Sequence, residues 1–259
     1  MHAYIYSKEP GGKRIEIPPG FEAWFNPKTT AILSIDMHKG HLAPDATLPA
    51  GVKYPFPGNA IVEPMNLFFE EARKLNIPIF HVIMCLRHGP PYPSKDDALG
   101  WRSGAAWRHL NLLVFPERTE RHAEHNIEGS QWLEPVTDTK PEDIFFYSKK
   151  RLSAFYPTEL EFVLNNMKKE VVVITGINTD ACDLSTAFDA ANRDFKVVIC
   201  RDLVRGFSPE LEDAALKITS IYLGFVVNSD ELVQGWKDRM PTARHPLDGY
   251  GPVNFPKSG

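Results

Sequence analysis

The sequence predicts an α/β protein, a three-layer α/β/α sandwich around a mostly parallel, doubly wound central sheet. Short apolar runs without helical periodicity, such as "TTAILSID" and "EVVVITG", are typical of strands that are buried on both faces. These runs alternate with segments whose apolar residues recur every three or four positions, which is the pattern of amphipathic helices. Such alternation indicates parallel strands joined by right-handed crossovers.

The first half of the chain contains two of these strands and one helix. Residues 1–28 are rich in Pro, Gly and charged residues, and we interpret them as an N-terminal arm lying over the surface. The apolar segments Thr29–Asp36 and Ile77–Cys85 are the predicted strands. A helix is expected after Gly58, with the following residues on one face: Ile61, Met65, Phe68, Phe69 and Ala72. The irregular segment 86–140 is too long for a simple turn and is expected to shape a pocket.

The second half continues the alternation up to the last short strand. The predicted elements are, in order, the strand "DIFFYSK", the helix "PTELEFVLNNMKK", the strand "EVVVITG", the helix "TDACDLSTAFDAANR", the strand "FKVVICRD", the helix "SPELEDAALKITSIYLG" and the strand "FVVNS". In the second helix, Ala181, Leu184, Phe188 and Ala191 are expected to align. In the third, Ser208 is the expected N-cap and Pro209 the first helical residue. Residues 29–234 therefore form one predicted domain, and 235–259 a C-terminal arm that could clasp a neighbouring subunit.

Composition excludes several classes of partner. The chain has 259 residues and a net charge of −4, without a block of Lys or Arg, which argues against nucleic acid or an anionic membrane as the main partner. No apolar run approaches the roughly 20 residues that a membrane span requires. The first residues, "MHAYIYSKEPGGKR", lack the apolar core of a signal peptide, so the cytoplasm is the expected location. Three cysteines in a chain of this length indicate reduced thiols instead of a disulfide framework.

Three chemically useful residues follow predicted strands. Parallel sheets of this kind bind ligands at the carboxyl ends of their strands, where Asp36, Lys149 and Cys182 are all expected. Cys182 would lie in the first turn of a helix, whose free N–H groups and dipole stabilise a thiolate, although the neighbouring Asp180 and Asp183 would oppose it. By position alone, Cys182 is equally well interpreted as a nucleophile or as a structural cysteine.

The other two residues also have two interpretations each. Lys149 can supply the cation that a thiolate needs, or it can belong to a solvated basic loop. Asp36 can be a general base, or it can cap a turn after its strand, which is common for aspartate. Their joint placement at strand ends favours the catalytic interpretation.

Taken in order, these segments resemble the isochorismatase-like cysteine hydrolase superfamily. The resemblance rests on Ile35-Asp36, on Lys149 four residues before Ser153-Ala154-Phe155, and on the run "TGINTDAC" (residues 175–182) followed by "TAFDA". It covers about residues 29–228, apart from much of 86–140. The superfamily includes nicotinamidases, N-carbamoylsarcosine amidohydrolases, and biuret and ureidoacrylate amidohydrolases.

The resemblance implies a role for each matching residue. Cys182 would be the nucleophile, Asp36 the general base and Lys149 the cation that positions both. A non-proline cis peptide would join Ile177 to Asn178, and the backbone amides of Asn178 and Cys182 would form an oxyanion hole. The implied activity is hydrolysis of a small amide, carbamoyl or ureido compound through a thioester, without a cofactor, in a homo-oligomer. Hydrolysis of an isochorismate-like vinyl ether, and an idle metabolite-binding homologue, are the alternatives.

The cluster "DMHKGH" raises the question of a metal site at Asp36, His38 and His41. Nicotinamidases of the superfamily carry a metal on an Asp-Trp-His segment, whereas the corresponding region here is "MCLRHGPPYP". We therefore expect no metal, and we expect one of the two histidines to line the pocket or cap the loop. Five residues are candidates for substrate binding: His38, His41, Arg87, Trp107 and Phe155. The Arg and Trp residues of 86–140 are equally well explained by packing within that segment or at a subunit contact.

Three further residues are predicted to be structural. Cys85 and Cys200 belong to apolar strands and are expected in the core. His81 interrupts the second strand and is expected to be a core histidine with a hydrogen-bond partner.

Overall fold

The computed structural model describes residues 1–6, 10–42, 58–85, 113 and 128–238. The strands in these ranges are β1 (His2–Ile5), β2 (Lys13–Glu16), β3 (Thr30–Ile35), β4 (Ile79–Met84), β5 (Ile144–Lys149), β6 (Val171–Ile177), β7 (Lys196–Arg205) and β8 (Gly224–Val227). The α-helices are α1 (Lys39–Leu42), α2 (Val62–Lys74), α3 (Leu160–Asn166), α4 (Leu184–Ala191), α5 (Pro209–Ile218) and α6 (Ser229–Lys237). Two π-helical segments cover Thr179–Asp183 and Thr219–Leu223. Across the described ranges, none of the helices combines the length and apolar character needed to cross a membrane.

Six of the strands form one parallel sheet in the order β5-β4-β3-β6-β7-β8. All residues of the two inner strands β3 and β6 are buried. Successive residues of β3 alternate between two hydrophobic clusters, with Leu33 in one and Ile32 in the other, and Val172 and Val173 of β6 do the same. The sheet is therefore covered by a core on each face, and the predicted α/β sandwich is confirmed.

Most predicted helices are present, but one packs differently. Helix α2 buries the predicted apolar face, and α5 begins with the predicted cap, in which the Ser208 hydroxyl accepts a hydrogen bond from the Leu211 amide. In α4, the buried residues are Thr186, Ala187 and Ala190, while Phe188 of the predicted aligned set is 41% exposed. The π-helical segment before α4 explains the difference, because its wider turn rotates the face that α-helical spacing predicts.

Both predicted arms are in contact with the domain where they are described. Strands β1 and β2 form an antiparallel hairpin, and the backbone amide of His2 and the guanidinium of Arg14 donate hydrogen bonds to Glu231 of α6. Residues 235–237, predicted to begin the C-terminal arm, form the last turn of α6. That helix continues past residue 234 because the Trp236 ring is buried, with its centroid 5.5 Å from that of Phe68.

Gly176 allows the ends of β3 and β6 to lie side by side. Its φ is +119°, and a Cβ atom at this position would lie 2.2 Å from the carbonyl oxygen of Ile35, its partner in the register. Only glycine avoids both the unfavourable backbone angle and the collision. The two strand ends that lead to Asp36 and to Cys182 are adjacent for this reason.

We expect the change Gly176→Ala to lower the free energy of unfolding by about 3 kcal/mol or more, because backbone strain and a backbone collision are combined. Gly129→Ala is the matched control. Gly129 also has a positive φ, +83°, but a Cβ there meets no atom within 4 Å, so a loss of only about 1–2 kcal/mol is expected. Urea denaturation of both variants measures the difference, and equal losses would contradict the role given to the close approach.

Candidate active site

The structure brings Asp36, Lys149 and Cys182 together at the carboxyl edge of the sheet. Asp36 follows β3, Lys149 is the last residue of β5, and Cys182 lies in the π-helical segment after β6. The ammonium Nζ of Lys149 donates to the Asp36 Oδ2 at 2.7 Å and lies 3.4 Å from the Cys182 Sγ. The three side chains are between 0% and 5% exposed. Residues separated by 113 and 33 positions in the chain therefore form one enclosed cluster.

The Asp36 carboxylate is oriented by hydrogen bonds on both oxygens. Its Oδ1 accepts from the backbone amide of Met84 at 2.7 Å, while Oδ2 faces Lys149. The residue adopts a positive φ of 54°, which costs a non-glycine residue about 1–2 kcal/mol. The Met84 amide was not predicted from the sequence, because a backbone donor leaves no signal in residue type.

Lys149 is charged although it is buried. Burial alone would lower the pKa of this ammonium, but the Asp36 carboxylate and the Cys182 sulfur beside it outweigh burial, and its pKa is raised. A buried cation of this kind is stable only with an anion at hydrogen-bond distance, which Asp36 provides.

The surroundings of Cys182 favour the neutral thiol over the thiolate. Burial and, next, the charge of Asp36 raise the pKa of the thiol, and the nearby Lys149 only partly opposes them. This corrects the expectation that a helix N-terminus stabilises a thiolate. Cys182 precedes α4 in an enclosed π-helical segment, so loss of solvent has the larger effect.

The backbone around Cys182 is held by a threonine whose role was not predicted. The Thr186 hydroxyl donates to the Cys182 carbonyl oxygen at 2.7 Å and accepts from the Ala154 amide at 2.9 Å. It thereby ties the Cys182 segment to the loop after β5. The four-residue spacing from Cys182 to Thr186 was the available signal, since a helical threonine bonds to the carbonyl four residues earlier.

The peptide bond between Ile177 and Asn178 is cis.

The predicted substrate-binding residues have different surroundings. His38 and His41 are buried beside the loop after β3 with ring centroids 4.2 Å apart, and the His38 Nδ1 lies 3.0 Å from the Trp132 carbonyl oxygen. The buried Phe155 ring packs 5.6 Å from that of Phe195. Arg87 and Trp107 lie outside the described residues. A role in substrate binding stays a prediction for all five.

The donor atoms around Asp36 do not fit a metal site. Both Asp36 oxygens already accept hydrogen bonds, one of them from an ammonium. In the part of the chain that the structure describes, no group of three or more His, Cys, Asp or Glu side chains is placed to hold an ion.

The residues predicted to be structural are buried. Cys200 is in one of the two large core clusters, and Cys85 packs in a small cluster with Ile83 and Leu133. The His81 Nε2 lies 3.3 Å from the Asp143 carboxylate, so its interpretation as a core histidine with a partner is confirmed.

Comparison with known proteins agrees with the fold. The family model described as the isochorismatase domain matches residues 30–231. The chain belongs to the isochorismatase family. The chain spans about half the length of the first curated relatives it matches. It covers 56% of one and 55% of another, and both are described as uncharacterized isochorismatase family proteins of Bacillus subtilis.

Other relatives match over more of their length. Ureidoacrylate amidohydrolase RutB of Methylobacterium radiotolerans is 26% identical and aligns over 83% of each chain. Nicotinamidase 3 of Arabidopsis thaliana is 24% identical over 80% of this chain and 88% of its own. Among solved structures, a cysteine hydrolase from Pseudomonas syringae pv. phaseolicola matches with a TM-score of 0.63 and 19% identity, covering 83% of this chain and 95% of that one. At this identity the structural match shows a shared fold.

We expect Lys149→Met to lower the free energy of unfolding by about 3–5 kcal/mol, because it leaves the Asp36 carboxylate buried without its cation. Lys196→Met is the control. It removes a similar ion pair with Glu170, at 2.9 Å, in which the carboxylate is 57% exposed, and a loss below about 1 kcal/mol is expected. Equal losses in urea denaturation would show that the Asp36–Lys149 pair is not specially important for stability.

Proposed function

We propose that this protein is a cysteine-dependent amidohydrolase that cleaves a C–N bond of a small amide, carbamoyl or ureido compound. The observation that carries the proposal is the buried Lys149 ammonium between the Asp36 carboxylate and the Cys182 sulfur. A nucleophile, a base and a cation in one enclosed site are the components of covalent acyl transfer. Membership in the isochorismatase family supports the same chemistry.

In the first half of the reaction, Asp36 takes the proton of the Cys182 thiol as the sulfur attacks the substrate carbonyl. The negative charge moves from the carboxylate to the substrate oxygen, and Lys149 remains near it throughout. The amides of Asn178 and Cys182 are the proposed donors to that oxygen. When the tetrahedral intermediate collapses, the C–N bond breaks, Asp36 returns its proton to the leaving nitrogen, and ammonia or an amine departs.

In the second half, water resolves the thioester. Asp36, again a carboxylate, takes a proton from the water that attacks the thioester carbonyl. Collapse of the second tetrahedral intermediate breaks the C–S bond, and the proton passes from Asp36 to the sulfur. The acid or carbamate product leaves, and the neutral thiol that the resting site favours is restored.

The substrate class is supported by the relatives. One is described as a ureidoacrylate amidohydrolase and another as a nicotinamidase, so both a ureido group and a carboxamide occur among the relatives' substrates. We favour ureido compounds, since the region that corresponds to the metal-binding segment of nicotinamidases, "MCLRHGPPYP", lacks an Asp-Trp-His triplet. The proposal is for a cytoplasmic homo-oligomer that acts on a small molecule without a cofactor.

The activity is tested by screening a panel of small amides and ureides for ammonia release. We expect Cys182→Ala to reduce turnover of the best substrate by about 10³-fold or more, because the thioester cannot form. Cys200→Ala is the control, since Cys200 is a buried cysteine of a core strand, and it should keep near-normal turnover. A covalent acyl adduct on Cys182 should be detectable by mass spectrometry after rapid acid quenching.

Other outcomes would reject the proposal. Undiminished ammonia release by Cys182→Ala would show that the cysteine is not the nucleophile. Vinyl ether cleavage that survives this substitution would indicate the isochorismate-like reaction instead. No turnover, together with no unusually fast reaction of Cys182 with iodoacetamide, would indicate an idle homologue.

A further inference from the structure

The reaction described above leaves one buried acid next to the nucleophile without a role. Asp183 directly follows Cys182 in the π-helical segment, and its side chain is fully buried. Within the described ranges, neither of its carboxyl oxygens has a hydrogen-bond partner. A buried polar group without a partner is rare, and a buried unpaired charge costs several kcal/mol.

The charge balance of the site argues that Asp183 is neutral. The ammonium of Lys149 is the cation at hydrogen-bond distance from Asp36, and one anion balances it. A second anion at Asp183 would leave a net negative charge in a site closed to water. Burial, and next the negative charge of Asp36, raise the pKa of the Asp183 carboxyl, while Lys149 opposes them.

Two further carboxyl groups act on Asp183, one from its own segment and one from α5. Asp180, in the same π-helical segment, accepts a hydrogen bond from the Phe207 amide, and Glu212 of α5 accepts one from the Gly206 amide. Both carboxylates also raise the pKa of Asp183, and an ionised Asp183 in turn raises the pKa of the Cys182 thiol. Asp180 and Glu212 are only partly buried, so among the described residues the fully enclosed charges near Asp183 are those of Asp36 and Lys149.

The order in which these groups lose protons follows from their intrinsic acidity. The pKa of a free aspartic acid side chain is lower than that of a free cysteine thiol by about 4–5 units. Asp183 and Cys182 are consecutive residues in the same enclosed environment, so burial acts on both. As the pH rises, Asp183 is therefore expected to ionise before Cys182.

We propose that Asp183 is a positioning residue that controls Cys182 through its proton: neutral, it permits attack by the sulfur, and ionised, it prevents it. This inference rests on the proposed function and adds a regulatory group to the same site. During attack, negative charge must leave Asp36 for the sulfur and then for the substrate oxygen. A carboxylate on the residue next to that sulfur repels this charge, so the site becomes less reactive on the alkaline side.

The test compares Asp183→Asn with wild type between pH 6 and 10. The side chain keeps its shape but cannot ionise, so the ratio of variant to wild-type kcat/KM, normalised at pH 6, should rise about tenfold by the alkaline end. The rate of iodoacetamide alkylation at Cys182, located by peptide mass spectrometry, should show the same rise without a substrate. If the asparagine side chain disturbs the packing, Asp183→Leu is the second variant, since leucine also cannot ionise.

Stability gives an independent readout of the same proton. The pKa of Asp183 is higher in the folded protein than in the unfolded chain. The contribution of the protonated carboxyl to the free energy of unfolding is therefore fully present only below about pH 4, and it is lost as the pH rises toward the folded pKa. The melting temperature of Asp183→Asn minus that of wild type should therefore increase from pH 5 to pH 8. A difference that stays constant or decreases overturns the proposal.

Asp143→Asn is the matched control. Asp143 is a buried carboxylate at the opposite end of β5, about 20 Å from Lys149 along the strand, and it is paired with Arg73. This variant should be less stable than wild type at neutral pH, with a reactivity ratio that does not change with pH. Superimposable pH profiles for Asp183→Asn and wild type overturn the inference alone, whereas an inert Cys182 in wild type would overturn the proposed function.

Discussion

The ion pair between Lys149 and Asp36 is the interaction on which the site depends. Neither group could stay charged in this interior by itself. The free energy needed to transfer an isolated ion out of water is larger than the free energy of unfolding of a whole domain. Each therefore requires the other at 2.7 Å, together with the Met84 amide on the second carboxylate oxygen. The two members of the pair act in opposite directions on the buried Cys182 thiol, because the charge of Asp36 raises its pKa and that of Lys149 lowers it.

The scaffold positions this pair mainly through its backbone. The glycine at 176 permits two strands to end side by side, the π-helical segment brings Cys182 to the sheet edge, and Thr186 joins that segment to the loop after β5. Each of these features acts over a few ångströms and involves no charge. The reactive geometry is thus a property of close packing at the edge of a parallel sheet, where ligands of such folds bind.

The sequence predicts the fold more completely than the chemistry of the site, and the reasons are physical. Apolar periodicity predicts the buried face of α2 and the inner strands, and the rule that parallel strands share a carboxyl edge predicts that Asp36, Lys149 and Cys182 meet. The protonation of Cys182 could not be predicted, because it depends on burial by segments far apart in the chain. The π-helical segment interrupts the periodicity from which the buried face of α4 was predicted. Helix α6 was not predicted, because most of its residues are polar and give little apolar periodicity around the buried Trp236.

The strand order has a consequence for how the site would lose its geometry on heating. In the sheet as described, β5 is one of the two edge strands and hydrogen-bonds only to β4, with an irregular register beside Lys149, whereas β3 and β6 are paired on both sides. Strands held along a single side detach more readily than those in the middle. Lys149 therefore lies on an edge strand, whereas Asp36 and Cys182 follow strands that are paired on both sides. Local opening of β5 on heating would separate the ammonium from the carboxylate and the sulfur while the centre of the sheet stays paired.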